Sequence, residues 1–450
     1  MLASSPEPCV DTEAFGATPE TADLSRLGQH TGTPAYVLFE QTLRDQHAAL
    51  RRSLAAAEPV RLYYSVKSNF ESGVLATVRD LGCGAEISGG VERLAVERAG
   101  FDWSRVIFDG PLKDEADLAR VIDDGIHLIN VESEVEIETV RRLARRAGRR
   151  VRVGVRVIPP TRPPAYHLVI RTYRDKFGFR LSDLDRLADI IGGADEIEWS
   201  ALLAHVGSQV TRAEPYLETL EQCFAGAARL RSRGVEITEI NLGGGLPADA
   251  MLNLRVARRV RSARLWERLG RLRAPAESSP AMAGRIAERT VALRRQYNLP
   301  ATVALEPGRS LVAGAGVMLG RVGIVKPPWA FVDLSLNDLP EKLSFAEWRL
   351  VWPAHEGEEN VRRWHIGGPT LLTQDVLFYD HAGPELRCGD AIAVLDTGAY
   401  SIARASQFTR PRPPVYFVDR RGRLRLIRRG ETPADVLHTQ LPLSPAVRKS

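Results

Sequence analysis

The chain reads as an α/β protein: a (β/α)8 TIM-type barrel followed by a C-terminal β-rich domain of barrel or sandwich kind. Three observations predict this. Short apolar runs recur eight times, at Leu62–Val66, Ala85–Ile87, Val106–Phe108, Ile126–Ile129, Val151–Val157, Ala201–Val206, Ile237–Leu242 and Thr302–Leu305. Each but the last is separated from the next by a segment long enough to hold an amphipathic helix, which is the period of an eight-fold barrel. After Arg309 the texture changes to short alternating strands with turns, and chemically distinctive residues fall at the ends of the apolar runs, where a barrel carries its site.

Taken in order, residues 1–25 are polar and proline-bearing and predict a flexible tail. Residues 26–45 run through Gly32-Thr33-Pro34 into Ala35–Phe39, a strand, and a helical pattern through Leu43, Ala49, Leu50 and Leu54 follows. The barrel is expected over 46–310. Its last helix falls in an anomalous stretch: twelve arginines lie between Leu254 and Gln296, broken by Pro275 and Ser278-Ser279-Pro280. This predicts an arginine-rich insert over 250–297, two helices with a break, the first strongly basic. Without interleaved aromatics, it suits a solvated or dimer-facing surface better than an RNA contact. Residues 311–450 form the β domain, with strands expected at Val332-Asp333, Arg362–Ile366, Ala391–Leu395, Val415–Val418 and Leu424–Ile427, and a loop over 410–414.

Composition narrows the class. With 450 residues, 44% hydrophobic and 26% charged, the chain is ordinary for a globular protein of two domains. A net charge of +5, mostly from arginine, supports no nucleic-acid partner. Cys9, Cys83, Cys223 and Cys388 lack CxxC spacing, which argues against a disulfide framework and a structural zinc site, so no metal is expected. The N-terminus lacks the basic start and apolar core of a signal peptide, and no run is long enough to span a bilayer. A cytoplasmic protein with no membrane contact is the expectation.

The strand at Leu62–Val66 leads directly into Lys67. A lone lysine there is ordinarily a solvated strand end, and what overturns that reading is the company it keeps. Ala204-His205-Val206-Gly207-Ser208-Gln209 puts a histidine at the end of the sixth strand, with a Gly-Ser turn able to offer donors to a phosphate. Asn241-Leu242-Gly243-Gly244-Gly245 ends the seventh with three glycines that allow close backbone approach to an anion. Leu305-Glu306-Pro307-Gly308-Arg309 ends the eighth with a carboxylate suited to a pyridinium nitrogen and a guanidinium suited to a phosphate; a salt bridge between the two is the competing reading.

Together with GAEISGG, INVESEVE, KFGF, GGPTLLTQD and DTGAY, these motifs make the chain resemble the fold type III pyridoxal-phosphate decarboxylases, the family of ornithine, arginine and diaminopimelate decarboxylases, and more distantly alanine racemase. The likeness runs from Gly32 to Leu437. It implies a pyridoxal 5′-phosphate cofactor in a Schiff base with Lys67, His205 stacked on its ring and Glu306 against the ring nitrogen. It further implies that Ser208, Gly243, Gly244, Gly245, Gly308, Arg309 and Tyr400 hold the phosphate, with Glu86 and Arg156 behind the lysine and ring. The β domain would take in the N-terminal strand, and a homodimer would complete each site with a partner-subunit loop, here Thr370, Leu371, Leu372 and Asp375.

That loop departs from the family. Leu371 stands where the decarboxylases place the cysteine that protonates Cα, and Leu372 where an acidic residue often follows to meet a distal amine. Cys388 lies too far along to substitute and is expected to be a buried small residue. Lys67 itself or water would have to supply the proton. The arginine-proline pattern with which diaminopimelate decarboxylases continue after Asp338 is replaced by Leu339-Pro340-Glu341-Lys342, which argues against diaminopimelate. The leading expectation is a decarboxylase of an amino acid or amino-acid conjugate. A racemase or decarboxylation-dependent transaminase, and a silent homologue that binds a partner, are the alternatives.

Overall fold

The computed structural model describes residues 10–159, 176–248, 277–343, 349–352 and 361–441. The chain opens with β1 (Val10–Ala14), α1 (Leu24–Thr31), β2 (Ala35–Phe39) and α2 (Glu40–Leu54). Six strands then alternate with helices: β3 (Val60–Ser65), α3 (Ser72–Asp80), β4 (Gly84–Ile87), α4 (Gly90–Arg98), β5 (Val106–Phe108), α5 (Glu115–Asp124), β6 (Leu128–Val131), α6 (Glu134–Ala147), β7 (Val151–Arg156), α7 (Leu184–Ile191), β8 (Ile197–Leu203) and α8 (Glu214–Arg231). After β9 (Glu239–Asn241) come α9 (Ser279–Tyr297), β10 (Thr302–Leu305) and the one-turn α10 (Arg309–Val312). Strands β3 to β10 close into a parallel barrel in which β10 pairs with both β9 and β3. All eight apolar runs of the sequence are barrel strands.

Local chemistry sets the element ends. Asp114 caps α5 by accepting from the N–H groups of Ala116 and Asp117, and Ser133 caps α6 through the N–H of Glu136. Gly125 and Gly148, both left-handed, close the same two helices. Inside the barrel, Tyr63, Ile107, Leu128, Ala201 and Ala304 pack as one buried layer. Gly84 faces Tyr63 in register, and a Cβ there would sit 2.5 Å from the Tyr63 ring, so the missing side chain makes room for the large one. This layer is the apolar floor beneath the strand ends.

The second domain is built on β11 (Gly316–Lys326), β12 (Trp329–Val332), β13 (Leu350–Val351), β14 (Arg362–Gly367), β15 (Val376–Gly383), β16 (Ala391–Leu395), β17 (Val415–Val418) and β18 (Arg423–Arg428), with a short α11 (Pro433–Leu437) after them. Its sheet runs β1-β18-β17-β2-β11-β12-β14-β15, and β16 joins β11 to β13. Strand β2 lies antiparallel to β11 and parallel to β17.

Three expectations change. The supposed tail contains β1, which pairs with β18, so order begins well before residue 26. The supposed insert is narrower: the Ser278-Ser279-Pro280 break is the start of α9, where Ser278 caps Ala281 and proline occupies the first turn. That helix is a regular barrel helix with Met282, Ile286 and Leu293 buried, while the basic first helix expected before it lies outside the described residues. Cys388 is exposed rather than buried. No helix among the described residues is long and apolar enough to cross a membrane.

Helices α8 and α9 pack through Phe224 and Tyr297, whose rings stack at 6.3 Å. Phe224 is fully buried. Phe224→Ala should therefore lower stability by about 3–5 kcal/mol through lost burial and a residual cavity, read from the denaturation midpoint.

Candidate active site

The C-terminal ends of β3, β4, β5, β8, β9 and β10 bring the expected residues to one mouth. Lys67 sits in the single turn Val66–Ser68 that follows β3. This turn is gripped from both sides. Within it, Ser68 Oγ donates to the Ser65 carbonyl at 2.7 Å and to Tyr64 Oη at 3.0 Å, and Tyr64 Oη donates to the Asn69 carbonyl at 2.9 Å. From the β domain, the Tyr400 N–H donates to the Ser68 carbonyl at 2.8 Å, while Asn69 Nδ2 donates to the Gly398 carbonyl at 2.8 Å.

The Lys67 amine donates to both Glu86 oxygens, at 2.5 and 2.7 Å, and Ser65 Oγ adds a third bond to Glu86 at 2.6 Å. Burial works against the lysine charge. The Glu86 carboxylate, with Tyr400 and Glu306 beyond it, outweighs that and lifts the amine above the ordinary lysine value. Glu306 is buried and accepts from Asn241 Nδ2 at 2.8 Å. Burial, then the neighbouring Asp109 and Glu86 charges, push its carboxyl well above the usual range, with Lys67 and Arg156 opposing. The competing reading, a Glu306–Arg309 salt bridge, gives way to a different pair. Arg309 donates to Glu341 at 2.7 Å and lies 4.7 Å from the centre of the Tyr400 ring, and Arg404 holds the other Glu341 oxygen at 2.6 Å.

The glycine motifs form a cradle. Gly207, Gly243 and Gly245 have φ of 140°, 65° and 95°, conformations that favour glycine. A Cβ on Gly243 would lie 2.7 Å from His205 Nδ1, and one on Gly245 would lie 1.9 Å from the Gly207 carbonyl. The loop carbonyls are bonded to their own surroundings: Gly243 to the Glu306 N–H, Gly244 to Tyr216 Oη, Gly245 to the Val210 N–H. The N–H groups of Gly244 and Gly245 meet no acceptor among the described residues, which is the arrangement an anion-binding nest requires. Ser208 is exposed on the adjoining turn, and a Cβ on Gly308 would sit 3.0 Å from Ser68 Oγ. In chemical type the donors of this cradle suit a phosphate, the Glu306 carboxyl suits a pyridinium nitrogen and the Lys67 amine suits an aldehyde.

Arg156 is tied to Glu132 at 2.7 Å and lies over the Phe177 ring at 4.4 Å. Asp375 is buried and works as a staple. It accepts from Thr370 N–H and Oγ1 at 3.1 and 2.5 Å, from the Leu336 N–H at 2.8 Å and from Ser335 Oγ. The tip it holds carries Leu371, which is fully exposed in the single chain, and Leu372, which is half-buried.

Asp109, at the end of β5, was missed in the sequence. Its only signal is an acid directly after an apolar run. Oxygens of Glu86, Asp109 and Glu306 all lie within 4.8 Å of one another, and Asn130 Nδ2 donates to Asp109 at 2.6 Å. Burial and the Glu86 charge push the Asp109 carboxyl from 3.8 up to about 6. At the opposite end of the barrel a recess lined by Arg51, Arg61, Arg105, His47 and His127 surrounds the strand starts, away from this chemistry.

Residues 40–313 match the family model described as the pyridoxal-binding domain of pyridoxal-dependent decarboxylases. The chain belongs to this family. Diaminopimelate decarboxylase of Pseudomonas aeruginosa is 31% identical over 416 residues, covering 91% of this chain and 92% of the relative, and that of Aquifex aeolicus is 28% identical over 92% of each. The crystal structure of diaminopimelate decarboxylase from M. jannaschii superposes with a TM-score of 0.83 at 24% identity, covering 96% of this chain and 98% of that one, and confirms the barrel and β domain as the fold. The decarboxylase is thus a carboxy-lyase that depends on pyridoxal phosphate, and the racemase, transaminase and silent readings are not favoured.

Two measurements follow. With Glu86→Gln the amine loses its strongest opposing charge, so Lys67 of the cofactor-free protein should react with an amine-modifying reagent at least about tenfold faster at pH 8; an unchanged rate would mean Glu86 does not hold the charge. Asp109 has a folded value above its unfolded one, so the folded state binds that proton more tightly. The associated stability is present below 3.8 and lost as pH rises through about 6. Asp109→Asn should therefore stabilise the cofactor-free protein on the order of 2 kcal/mol at pH 7 relative to pH 4, seen in thermal melts at both values.

Proposed function

We propose that this decarboxylase acts as a homodimer on an amino acid, or amino-acid conjugate, whose distal end is apolar or bulky, with Lys67 holding the cofactor and carrying the proton that replaces carbon dioxide. The observation that carries the reading is the Lys67 amine, held by Glu86 in the same mouth as Glu306 and the glycine cradle. Pyridoxal phosphate, when bound, supplies the electron sink that makes loss of carbon dioxide from Cα feasible.

The chain's own residues do the rest. Gly243, Gly244, Gly245 and Ser208 bind the phosphate through backbone and hydroxyl donors, joined by Gly308, by Arg309 and by Tyr400. His205 stacks on the ring. Glu306, oriented by Asn241, faces the ring nitrogen and keeps it protonated. Glu86 holds the Lys67 ammonium whenever the lysine is free of the cofactor, and Arg156 steadies the wall behind through Glu132. With Lys67 freed and carrying the proton given up by the incoming substrate ammonium, its ammonium would be the acid at Cα, the part that Leu371 cannot play.

Leu371 supports the shared site. A fully exposed leucine at the tip of a loop made rigid by Asp375 suits insertion into a neighbouring subunit better than open solvent. In that position Leu371 and Leu372 offer a substrate contact with no charge. The curated relatives are diaminopimelate decarboxylases; here Glu341, buried between Arg309 and Arg404, replaces part of the family's arginine-proline pattern and argues for a different distal group. The free thiols of Cys83, Cys223 and Cys388 favour a reducing cytoplasm.

Reduction of the coloured protein with borohydride, followed by mass analysis, should find the cofactor on the Lys67 peptide. Lys67→Ala should abolish both colour fixation and carbon dioxide release; fixation at another lysine would refute the assignment. Mixing Lys67→Ala with Leu371→Trp chains, each inactive alone, should restore up to about a quarter of wild-type activity, since half the dimers pair one sound lysine with one sound loop. No recovery would place Leu371 outside the shared site.

A further inference from the structure

Three carboxyls meet in the barrel mouth, Glu86 from β4, Asp109 after β5 and Glu306 after β10, their oxygens within 4.8 Å of one another, and among the described residues one cation, Lys67, is bonded to the group. Glu86 spends its acceptor capacity on Lys67 and Ser65. Arg156, the other cation facing the group, is bound to Glu132. Lys113, near the end of β5, is buried and directed away, donating to the Gly110 and Asn130 carbonyls and to Glu136. Asp109 and Glu306 are left with one amide donor each, Asn130 Nδ2 and Asn241 Nδ2. Around them stand Glu86 from β4, Lys67 and Tyr400 across the mouth, Arg156 from β7 and Glu132 after β6. Two buried carboxylates this close cannot both ionise beside a third without a cation of their own.

We infer that Asp109 is a positioning residue that shares a single proton with Glu306, so that the pair carries one negative charge before the cofactor binds and two once a positive ring nitrogen lies against Glu306. This rests on the cofactor placement proposed above. The step balances in either of two ways. If the ring arrives neutral, the carboxyl O–H bond breaks, an N–H bond forms on the ring nitrogen, the ring becomes positive and the pair gains one negative charge. If the ring arrives protonated, the same proton leaves the pair for solvent. Burial raises both carboxyls, helped by the Glu86 charge at Asp109 and by the Asp109 and Glu86 charges at Glu306, in agreement with a retained proton. Asp109 thereby fixes when Glu306 becomes an anion, a task that its distance from the lysine alone would not suggest.

Calorimetric titration of the cofactor-free enzyme with pyridoxal phosphate at pH 7, in two buffers of different ionisation enthalpy, tests this by counting protons. Wild type should release about one proton more per site, net, than Asp109→Asn, whichever form the free cofactor brings. Asp109→Glu should restore the wild-type count, which a purely structural role would not require. Equal counts in wild type and Asp109→Asn would overturn the inference while leaving cofactor attachment to Lys67 intact. Failure of wild type to take up the cofactor at Lys67 would overturn both. Should Asp109→Asn not fold, infrared difference spectra of wild type decide the matter: a carboxylic-acid C=O band present without cofactor and lost on loading supports the shared proton, and its absence in the unloaded protein refutes it.

Discussion

The Lys67 amine stands at the open mouth of the barrel over a fully buried carboxylate, and the Lys67–Glu86 pair is what holds both charges in place. The parallel register of β3 with β4 sets Ser65 opposite Glu86, so the acid reaches the turn carrying Lys67 while Ser65 supplies a further donor. Removing the lysine would leave the Glu86 carboxylate buried without its cation. The surroundings follow from that demand. The apolar layer around Tyr63 closes the barrel below, and the β domain grips the Lys67 turn from above through Tyr400 and Gly398. The lysine is thus held by backbone it does not itself belong to.

The anion-binding side solves the opposite problem with almost no side chains. The glycine loops present N–H groups, and their carbonyls are drawn back by Tyr216, Val210 and Glu306. Arg309, the guanidinium proposed for the phosphate, is bonded to Glu341, which also holds Arg404. Much of its charge is spent within the protein, so the cradle depends on backbone dipoles in fixed directions. Such dipoles need no reorganisation when a ligand arrives.

Much of this was legible in the sequence because it obeys local rules. The barrel strands announce themselves by apolar runs at regular spacing, and Lys67, His205, Gly243 and Glu306 stand directly after them. What was not legible depends on partners distant in sequence. Nothing around Asp109 indicates that β4 and β10 bring two more acids to it, and nothing around Arg309 indicates that its carboxylate partner is Glu341, 32 residues on. Strand β1 was hidden by a polar, proline-bearing composition, because its order comes from pairing with β18 rather than from its own propensity. The arginine count likewise concealed the regular helix α9, whose buried face is carried by Met282, Ile286 and Leu293.

The placement of β2 has a consequence for how the protein is made. This strand emerges among the first forty residues, yet its two hydrogen-bonding neighbours, β11 and β17, begin at Gly316 and Val415. During synthesis the barrel can close while β2, whose residues are all buried in the finished fold, still has both edges open. An apolar strand in that state invites pairing with another nascent chain. Strand β2 is therefore completed only when β17 follows, and the segment between β11 and β17 also delivers Gly398 and Tyr400 to the Lys67 turn. Without β17 and the segment before it, the strand would be exposed and the Lys67 turn loosened together, so the two depend on the same late part of the β domain.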